Sequence, residues 1–193
     1  MSLYGKNILF LGSSVTYGAA SGGVSFVEFM AENLCFTYVK EAVPGTTLAD
    51  TDSTSYVSRL KRIDKKTKFD LFVCQLSTND SNRGIPIEHT KQAIVFIVNY
   101  IKEIFACPIV FYTNTYFENK DYDKSVNMLL KLKRQYNFNV LDLWNDKEMR
   151  LVSKEDYNRY MKDCVHPTLE GYREWWTPKF IDFCSDVLSI SAN

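Results

Sequence analysis

The sequence predicts an α/β fold in which helices cover both faces of a five-stranded, mostly parallel sheet. Short apolar runs alternate with longer helical patterns along the whole chain, and that alternation is typical of parallel sheets with crossover helices. Hydrophobic residues make up 46% of the 193 positions, and no repeat, linker or low-complexity tract divides them. We therefore expect one domain that spans residues 1–193.

Each predicted strand is a short apolar run that ends in turn or polar residues. The first, NILFLG, is continuous and stops at a glycine, whereas the second, FTYVKEAV, is less apolar. The third, FDLFVCQLS, the fourth, PIVFYTN, and the fifth, FNVLDLW, are again rich in apolar residues. These strands occupy residues 7–12, 36–43, 69–77, 108–114 and 138–144.

Apolar residues at spacings of three and four predict helices between these strands and after the last one. The longest stripe lies within residues 85–105, a second helix is predicted around residues 126–136, and a third pattern runs from Leu169 to Phe183. Pro178 lies inside the third pattern. Because proline cannot donate a helical hydrogen bond, we expect a kink or a boundary there.

The charge balance argues against nucleic-acid and membrane partners. Lysines plus arginines number 23, and aspartates plus glutamates also number 23, so the formal net charge is zero. Such a chain has no strong field to gather an anionic polymer or an anionic membrane. The densest basic run, RLKRIDKKTK from Arg59 to Lys68, is interpreted as a solvated helix end.

The five cysteines, an odd number without a CxxC pair, predict neither a disulfide framework nor a zinc site. Cys74 and Cys107 lie in or beside apolar runs and are expected in the core. The sequence contains neither a signal-peptide h-region nor an apolar stretch of about 18 residues. We therefore expect a cytoplasmic protein without a metal or other cofactor.

Polar residues gather where the predicted strands end, which is the edge at which ligands bind in parallel α/β sheets. They are Ser13, Ser14, Thr16 and Tyr17 after the first strand, Gly45 after the second, Asn79 and Asp80 after the third, Asn114 after the fourth, and Asp163 and His166 in the late segment DCVHPT. The other histidine, His89, begins a helical pattern and is interpreted as a surface residue.

Ser14, His166 and Asp163 fit the roles of a nucleophile, a base and the group that orients the base. The proline after His166 restricts its backbone, and a carboxylate three residues earlier in the same turn can reach its Nδ1–H. On these residues alone, other interpretations stay open. Asp163 and His166 can cap the last helix, and the serine-rich turn FLGSSVTYGAASGG can bind a phosphate, although it lacks GxGxxG and GxxxxGK[ST]. Cys164 is a rival nucleophile, which we interpret instead as a buried spacer.

Four motifs, GSSVTYG, PGTT, STND and DCVHP, occur in this order at the predicted strand ends. Together they resemble the SGNH hydrolases, also called the GDSL family of esterases and lipases, from about residue 7 to 180. Two positions depart from the family's pattern. Ser13 stands where an aspartate usually precedes the serine of the first block, and Ser77 stands where the third block usually has a glycine.

The resemblance implies a flavodoxin-like, three-layer α/β/α sandwich and a serine esterase or acylhydrolase. Ser14 would be the nucleophile, His166 the base and Asp163 its orienting partner. The oxyanion hole would consist of the backbone N–H of Ser14, the backbone N–H of Gly45 and the side-chain amide of Asn79.

The residues around the predicted site favour a small ester as the substrate. Small residues after Ser14 and the lack of a lid segment suit a short acyl group such as acetate, and aromatic side chains near the strand ends suit a sugar ring. The aromatic candidates are Tyr17, Tyr116, Phe117, Trp175 and Trp176, the last of which is expected in the core. We therefore predict a small-ester or carbohydrate O-acetyl esterase. A flavodoxin-like phosphate- or nucleotide-binding module without hydrolase activity is the alternative.

Overall fold

The computed structural model describes residues 3–190 and contains a five-stranded parallel sheet between two layers of helices. Residues 1–2 and 191–193 of the predicted domain lie outside the described residues. The strands are β1 Asn7–Gly12, β2 Thr37–Ala42, β3 Leu71–Gln75, β4 Ile109–Tyr112 and β5 Asn139–Leu141. Their order is β2-β1-β3-β4-β5, and every neighbouring pair is parallel. This is the strand order of flavodoxin-like folds, and the predicted fold class is confirmed.

Helices cover both faces of the sheet, as the right-handed crossovers of a parallel sheet require. They are α1 Ser14–Tyr17, α2 Phe26–Leu34, α3 Tyr56–Leu60, α4 Thr78–Asn82, α5 Ile87–Tyr100, α6 Lys120–Tyr136, α7 Lys147–Arg150, α8 Lys154–Tyr160 and α9 Thr177–Ile190. Helix α2 packs against α9 on one face, and α5 packs against α3 and α6 on the other. None of the helices within residues 3–190 combines the length and the apolar composition of a membrane-spanning segment.

Aromatic side chains fill the space between the sheet and the layer formed by α2 and α9. Phe26 stacks on Phe180 with ring centroids 3.8 Å apart, and Tyr112 of β4 meets both rings edge-on. Trp176 is fully buried beside them, as its place in the apolar stripe predicted. Burial of each such side chain is worth about 1.5–3 kcal/mol, so this cluster anchors the C-terminal helix to the sheet.

The last helix continues through Pro178 instead of breaking there. The chain is helical over residues 169–190, and the irregularity is a π-helical turn at Gly171–Trp176, immediately before the first turn of α9. Pro178 lies in the first turn of α9, after the backbone N–H of Thr177 has bonded to the carbonyl of Tyr172, and the first turn of a helix tolerates the missing N–H of a proline. A second π-helical turn, Ile101–Phe105, extends α5.

The strands end earlier than the apolar runs predicted. Leu76 and Ser77 already lie beyond β3, and Thr113 and Asn114 lie beyond β4. These residues are buried nonetheless, because the chain turns over the carboxyl edge of the sheet there. The same edge carries the polar residues that the sequence pointed to.

Candidate active site

Three side chains from two distant segments meet in a line at the carboxyl edge of the sheet. Ser14 is the first residue of α1, directly beyond β1, and its Oγ lies 2.8 Å from Nε2 of His166. On the other side of the ring, Nδ1 of His166 lies 2.9 Å from one carboxylate oxygen of Asp163 and 3.1 Å from the other. A hydroxyl, an imidazole and a carboxylate in this sequence of hydrogen bonds can move a proton away from the hydroxyl oxygen.

The spacing of Asp163 and His166 produces a turn that the carboxylate itself closes. Oδ1 of Asp163 accepts the backbone N–H of Val165 at 2.7 Å and that of His166 at 2.8 Å. Burial alone would raise the pKa of Asp163, but the hydrogen bonds from the His166 ring and these two amides outweigh it and lower that pKa. The group beside the imidazole is therefore held as a carboxylate.

Cys164 is exposed in this turn, so its interpretation as a buried spacer is wrong. The segment is a tight turn and not an extended strand, and Val165 is the residue that points into the protein. The carbonyl of Val165 accepts a hydrogen bond of 3.2 Å from Nδ2 of Asn114, which ties the turn to the end of β4. His89, by contrast, is exposed in the first turn of α5, as expected.

Gly45, in the loop after β2, and Asn79, in the first turn of α4 after β3, lie at the same carboxyl edge as Ser14, and a hydrogen bond from Asn79 to Thr46 joins their segments. The φ angle of Gly45 is +79°, a left-handed conformation that favours glycine, while a Cβ there would meet only Nη2 of Arg83 at 3.9 Å. Backbone conformation, and not lack of space, therefore explains the glycine. Nδ2 of Asn79 donates to the carbonyl of Thr46 at 2.8 Å, and an amide group carries a second N–H.

The structure accounts for Ser77 and shows the surroundings of Ser13, the two departures from the family's motifs. Ser77 has a φ of −68°, so its position needs no glycine, and its Oγ caps α4 by accepting the backbone N–H of Asn79 at 3.1 Å. Ser13 is fully buried, and its backbone N–H donates to Oε1 of Gln75 at 2.9 Å. Oγ1 of Thr16 also donates to that oxygen, at 2.9 Å. Gln75 therefore bonds to residues on both sides of Ser14 in the chain, namely Ser13 and Thr16.

Asp80 is a buried carboxylate that sequence reasoning placed at the strand end without assigning it a task. It is 1% exposed, and it accepts the backbone N–H groups of Leu48 and Ala49 at 2.8 and 2.9 Å and the hydroxyl of Thr90 at 3.0 Å. Asp80 therefore fastens the loop that begins at Gly45 to the helix that carries Asn79. The signal in the sequence was its place directly after Asn79.

Arg59 is the exception to the interpretation of the basic run as solvated, because its side chain is only 2% exposed whereas the other lysines and arginines of the run are exposed. Its Nη2 donates to the carbonyl of Gly12 at 2.7 Å and to Oγ1 of Thr46 at 3.1 Å. Its Nη1 donates to the carbonyl of Glu41 at 2.6 Å and lies 3.3 Å from the carboxylate of the same residue. One guanidinium therefore joins the ends of β1 and β2 to the Gly45 loop. Composition and periodicity carried no signal for it.

The aromatic candidates divide between the rim of the site and the core. Tyr17 and Tyr116 are exposed, and Trp175 is partly buried. Phe117 and Trp176 are buried and contribute to packing. Within residues 3–190, His, Cys, Asp and Glu side chains form no cluster of three or more that could hold a metal ion.

Comparisons with known proteins bear on the family and on the fold. A family model, the GDSL-like Lipase/Acylhydrolase family, matches residues 10–174. No curated protein matches the sequence significantly. Axe2, an acetylxylan esterase from Geobacillus stearothermophilus, is similar in structure with a TM-score of 0.73 at 15% identity, over 94% of this chain and 95% of that chain.

Two further solved structures share this architecture. A member of the lipolytic protein G-D-S-L family from Veillonella parvula has a TM-score of 0.74 at 14% identity, over 93% of this chain and 98% of that chain. The acetyl xylan esterase AlAXEase has a TM-score of 0.73 at 16% identity, over 94% and 99%. At such identities the likeness establishes a common fold.

Proposed function

The chain belongs to the GDSL-like lipase/acylhydrolase family, and from that premise we propose that it is a serine esterase that cleaves small, acetyl-type esters through an acyl-enzyme. One observation carries the proposal, namely the hydrogen bonds that run from Ser14 Oγ through the His166 ring to Asp163. In this proposal residues 1–193 act as one hydrolase domain, and the ester is borne by a small molecule such as an acetylated sugar.

Acylation begins when Ser14 Oγ bonds to the carbonyl carbon of the ester and its proton passes to Nε2 of His166. Asp163 accepts the Nδ1–H, which selects the tautomer that has a free lone pair on Nε2 and stabilises the imidazolium that forms. The tetrahedral intermediate collapses when the bond to the alcohol oxygen breaks and His166 returns the proton to that oxygen. Water then repeats the sequence on the acyl-enzyme and releases the acid.

Negative charge on the carbonyl oxygen is met by the backbone N–H groups of Ser14 and Gly45 and by the second N–H of Asn79. The N–H of Ser14 lies in the first turn of a helix, where such groups have no partner within the helix. In this proposal the left-handed backbone of Gly45 orients its N–H, and the hydrogen bond from Asn79 to Thr46 orients the amide of Asn79. Loss of one such donor commonly lowers turnover by about 10²–10³-fold.

A short acyl group and a sugar alcohol are supported by the rim of the site and by the structural relatives. Tyr17 and Tyr116 are exposed aromatic side chains of the kind that stack on sugar rings. Two structurally similar proteins are described as acetylxylan esterases, although the likeness to them establishes only the fold. The phosphate-binding alternative leaves His166, Asp163 and Asn79 without a task.

The test compares wild type with Ser14→Ala, His166→Ala and the double variant on p-nitrophenyl acetate and on a long-chain p-nitrophenyl ester. We expect hydrolysis of the acetate and not of the long-chain ester, and a loss on the order of 10⁴-fold or more in either single variant. The double variant should be no worse than the single ones, since the residues act as a unit. Ser13→Ala is the matched control and should keep activity within about tenfold. Equal turnover by Ser14→Ala would refute the proposal.

A further inference from the structure

A cavity of about 480 Å³ lies at the same edge of the sheet as Ser14, a volume in the range of small-molecule sites. Its walls come from the segment after β4, from α7 and α8, and from the π-helical turn before α9. The residues that concern ligand binding are Thr115, Tyr116, Arg150, Lys154, Tyr157 and Trp175.

The turn that carries Asp163 and His166 separates this cavity from the candidate nucleophile. Asn114, which precedes the cavity residue Thr115, donates to the carbonyl of Val165 in that turn. Tyr157 lines the cavity, and burial, with Cys164 and Asp163 of the turn nearby, raises the pKa of its phenol. The candidate nucleophile and the cavity are therefore neighbours of the same turn at the carboxyl edge.

Aromatic surfaces line two sides of the cavity. On one side Tyr116 is 46% exposed and packs on Trp144 with ring centroids 4.9 Å apart, so its position is set from behind. On the other side Trp175 meets the Tyr157 ring at an interplanar angle of 80°. An aromatic face in a polar cavity, which Trp175 supplies here, suits the apolar face of a sugar ring.

The charge of the cavity is positive although the chain as a whole is neutral. Arg150 and Lys154 line it, no aspartate or glutamate does, and within residues 3–190 neither cation forms an ion pair. The nearby carboxylates of Asp146 and Glu148 are both paired with Lys179, at 2.9 and 2.6 Å. The two cations are therefore available to an anionic ligand.

Arg150 is held in place before any ligand binds. Its guanidinium lies over the Tyr116 ring, 4.3 Å from the centroid, and its Nε donates to the carbonyl of Trp144 at 2.8 Å. A planar guanidinium that is fixed in this way matches the two oxygens of a carboxylate, which a lysine alone does not select.

We propose that this cavity binds a sugar unit that carries a carboxylate, a uronic acid, next to the sugar that bears the ester. This inference rests on the proposed function, because it takes the ester to be attached to a carbohydrate. The preferred substrate is then an acetylated acidic oligosaccharide and not a neutral one. The Trp175 side of the cavity packs on the ring, and Lys154 and Arg150, which lies over the Tyr116 ring, bind its carboxylate.

Binding without turnover gives the first test. Ser14→Ala protein is titrated calorimetrically with trigalacturonate and with xylotriose, a neutral control, neither of which carries an ester. We expect the acidic trimer to bind at least tenfold more tightly, and Lys154→Gln or Arg150→Gln in the Ser14→Ala background to weaken it about tenfold. Lys131→Gln, which removes an exposed charge on α6, is the matched control and should leave binding unchanged. Equal affinity for the two trimers would overturn the inference.

Kinetics on the protein with Ser14 intact give the second test. The ratio of kcat/KM on acetylated trigalacturonate to kcat/KM on acetylated xylotriose should exceed one and fall about tenfold in Lys154→Gln, mainly through KM. The ammonium group of Lys154 has no hydrogen bond or ion pair within residues 3–190, so Lys154→Gln removes only a charge, whereas Arg150→Gln also removes the bond to Trp144. A ratio that the variant does not change overturns the inference. Failure to hydrolyse p-nitrophenyl acetate would instead overturn the proposed function, which the binding experiment does not depend on.

Discussion

Replacement of Arg59 by methionine tests whether a buried guanidinium supports the candidate active site. The change keeps a long side chain and removes the charge together with its donors. Those donors now satisfy the carbonyls of Gly12, Glu41 and Thr54 and the hydroxyl of Thr46. Methionine leaves these acceptors without a donor. Because Arg59 is only 2% exposed, water has little access to them.

The expected cost is that of losing one buried charged group as a unit, because hydrogen bonds in one network do not contribute additively. A buried acceptor that loses its donor costs about 1–3 kcal/mol, and loss of one partner of a buried ion pair costs about 3–5 kcal/mol. The carboxylate of Glu41 is 33% exposed and can be hydrated, which keeps the total from rising further. We expect Arg59→Met to lower the free energy of unfolding by about 3–5 kcal/mol. For a chain of this length that is a fall in Tm of roughly 6–20 °C.

Urea unfolding followed by tryptophan fluorescence, together with kcat on p-nitrophenyl acetate, measures the effect. Arg59→Lys should lie between wild type and Arg59→Met, because an ammonium keeps the charge but cannot reach all the acceptors. Arg62→Met is the matched control from the same basic run. Arg62 is exposed, so its replacement should change the free energy of unfolding by less than about 1 kcal/mol.

Activity separates a structural role from a positioning role. Arg59 contacts Gly12, two residues before Ser14, and Thr46, one residue after Gly45. A shift of about 1 Å between these segments would lower kcat by up to about 10²-fold. A loss of stability no larger than that of Arg62→Met would refute the buried bridge, and an unchanged kcat in a destabilised Arg59→Met would refute the positioning role.

Three further predictions concern carboxylates and thiols. Asp80→Asn should lower the free energy of unfolding by about 2–4 kcal/mol and reduce kcat, since Asp80 holds the Gly45 loop. Burial would raise the pKa of Asp70, but the first backbone N–H of β1 and the ammonium of Lys6 lower it. Its stabilisation is therefore present above about pH 4 and lost as pH falls through the lower folded pKa, and Asp70→Asn should flatten this acid limb in urea titrations at several pH values. In native protein a thiol reagent should modify Cys35 and Cys164 and spare the three buried cysteines, and Cys164→Ser should retain esterase activity.

Each of these predictions has a contradicting result. Asp80→Asn as stable as wild type would mean that the carboxylate charge does not hold the loop. An acid limb equally steep in Asp70→Asn would assign it to other carboxylates. Loss of esterase activity in Cys164→Ser would favour Cys164 over Ser14 as the nucleophile.

The candidate site shows where local sequence was informative. The four motifs pointed to Ser14, Gly45, Asn79, Asp163 and His166, and the structure places these residues at one edge although Ser14 and His166 are 152 positions apart. These residues could be predicted from the sequence because each motif lies where a strand ends, and parallel strands bring their carboxyl ends together. Their catalytic roles remain the subject of the proposal.

The roles of Gln75 and Arg59, which support the site, could not be predicted from the sequence in this way. Gln75 looked like part of a buried apolar strand, and Arg59 like one of several solvated cations. Their tasks depend on partners 62 and 47 positions away, at Ser13 and Gly12. Nothing within a few residues of either one encodes those distances. Cys164 was misplaced for a related reason, since a carboxylate-closed turn, and not strand alternation, decides which side chain points inward.

The sequence by itself determined the alternation of strands and helices, the parallel sheet and the family, because periodicity and turn chemistry are properties of short segments. Only the tertiary structure decided which polar side chains are buried behind the site and which cations are left unpaired beside it. The physical reason is that the free energy of a buried charge or amide depends on donors and acceptors that folding brings together from distant segments. Arg59 and Lys154 are both cations in the sequence, and the fold alone makes one a buried bridge and the other an open charge in a cavity.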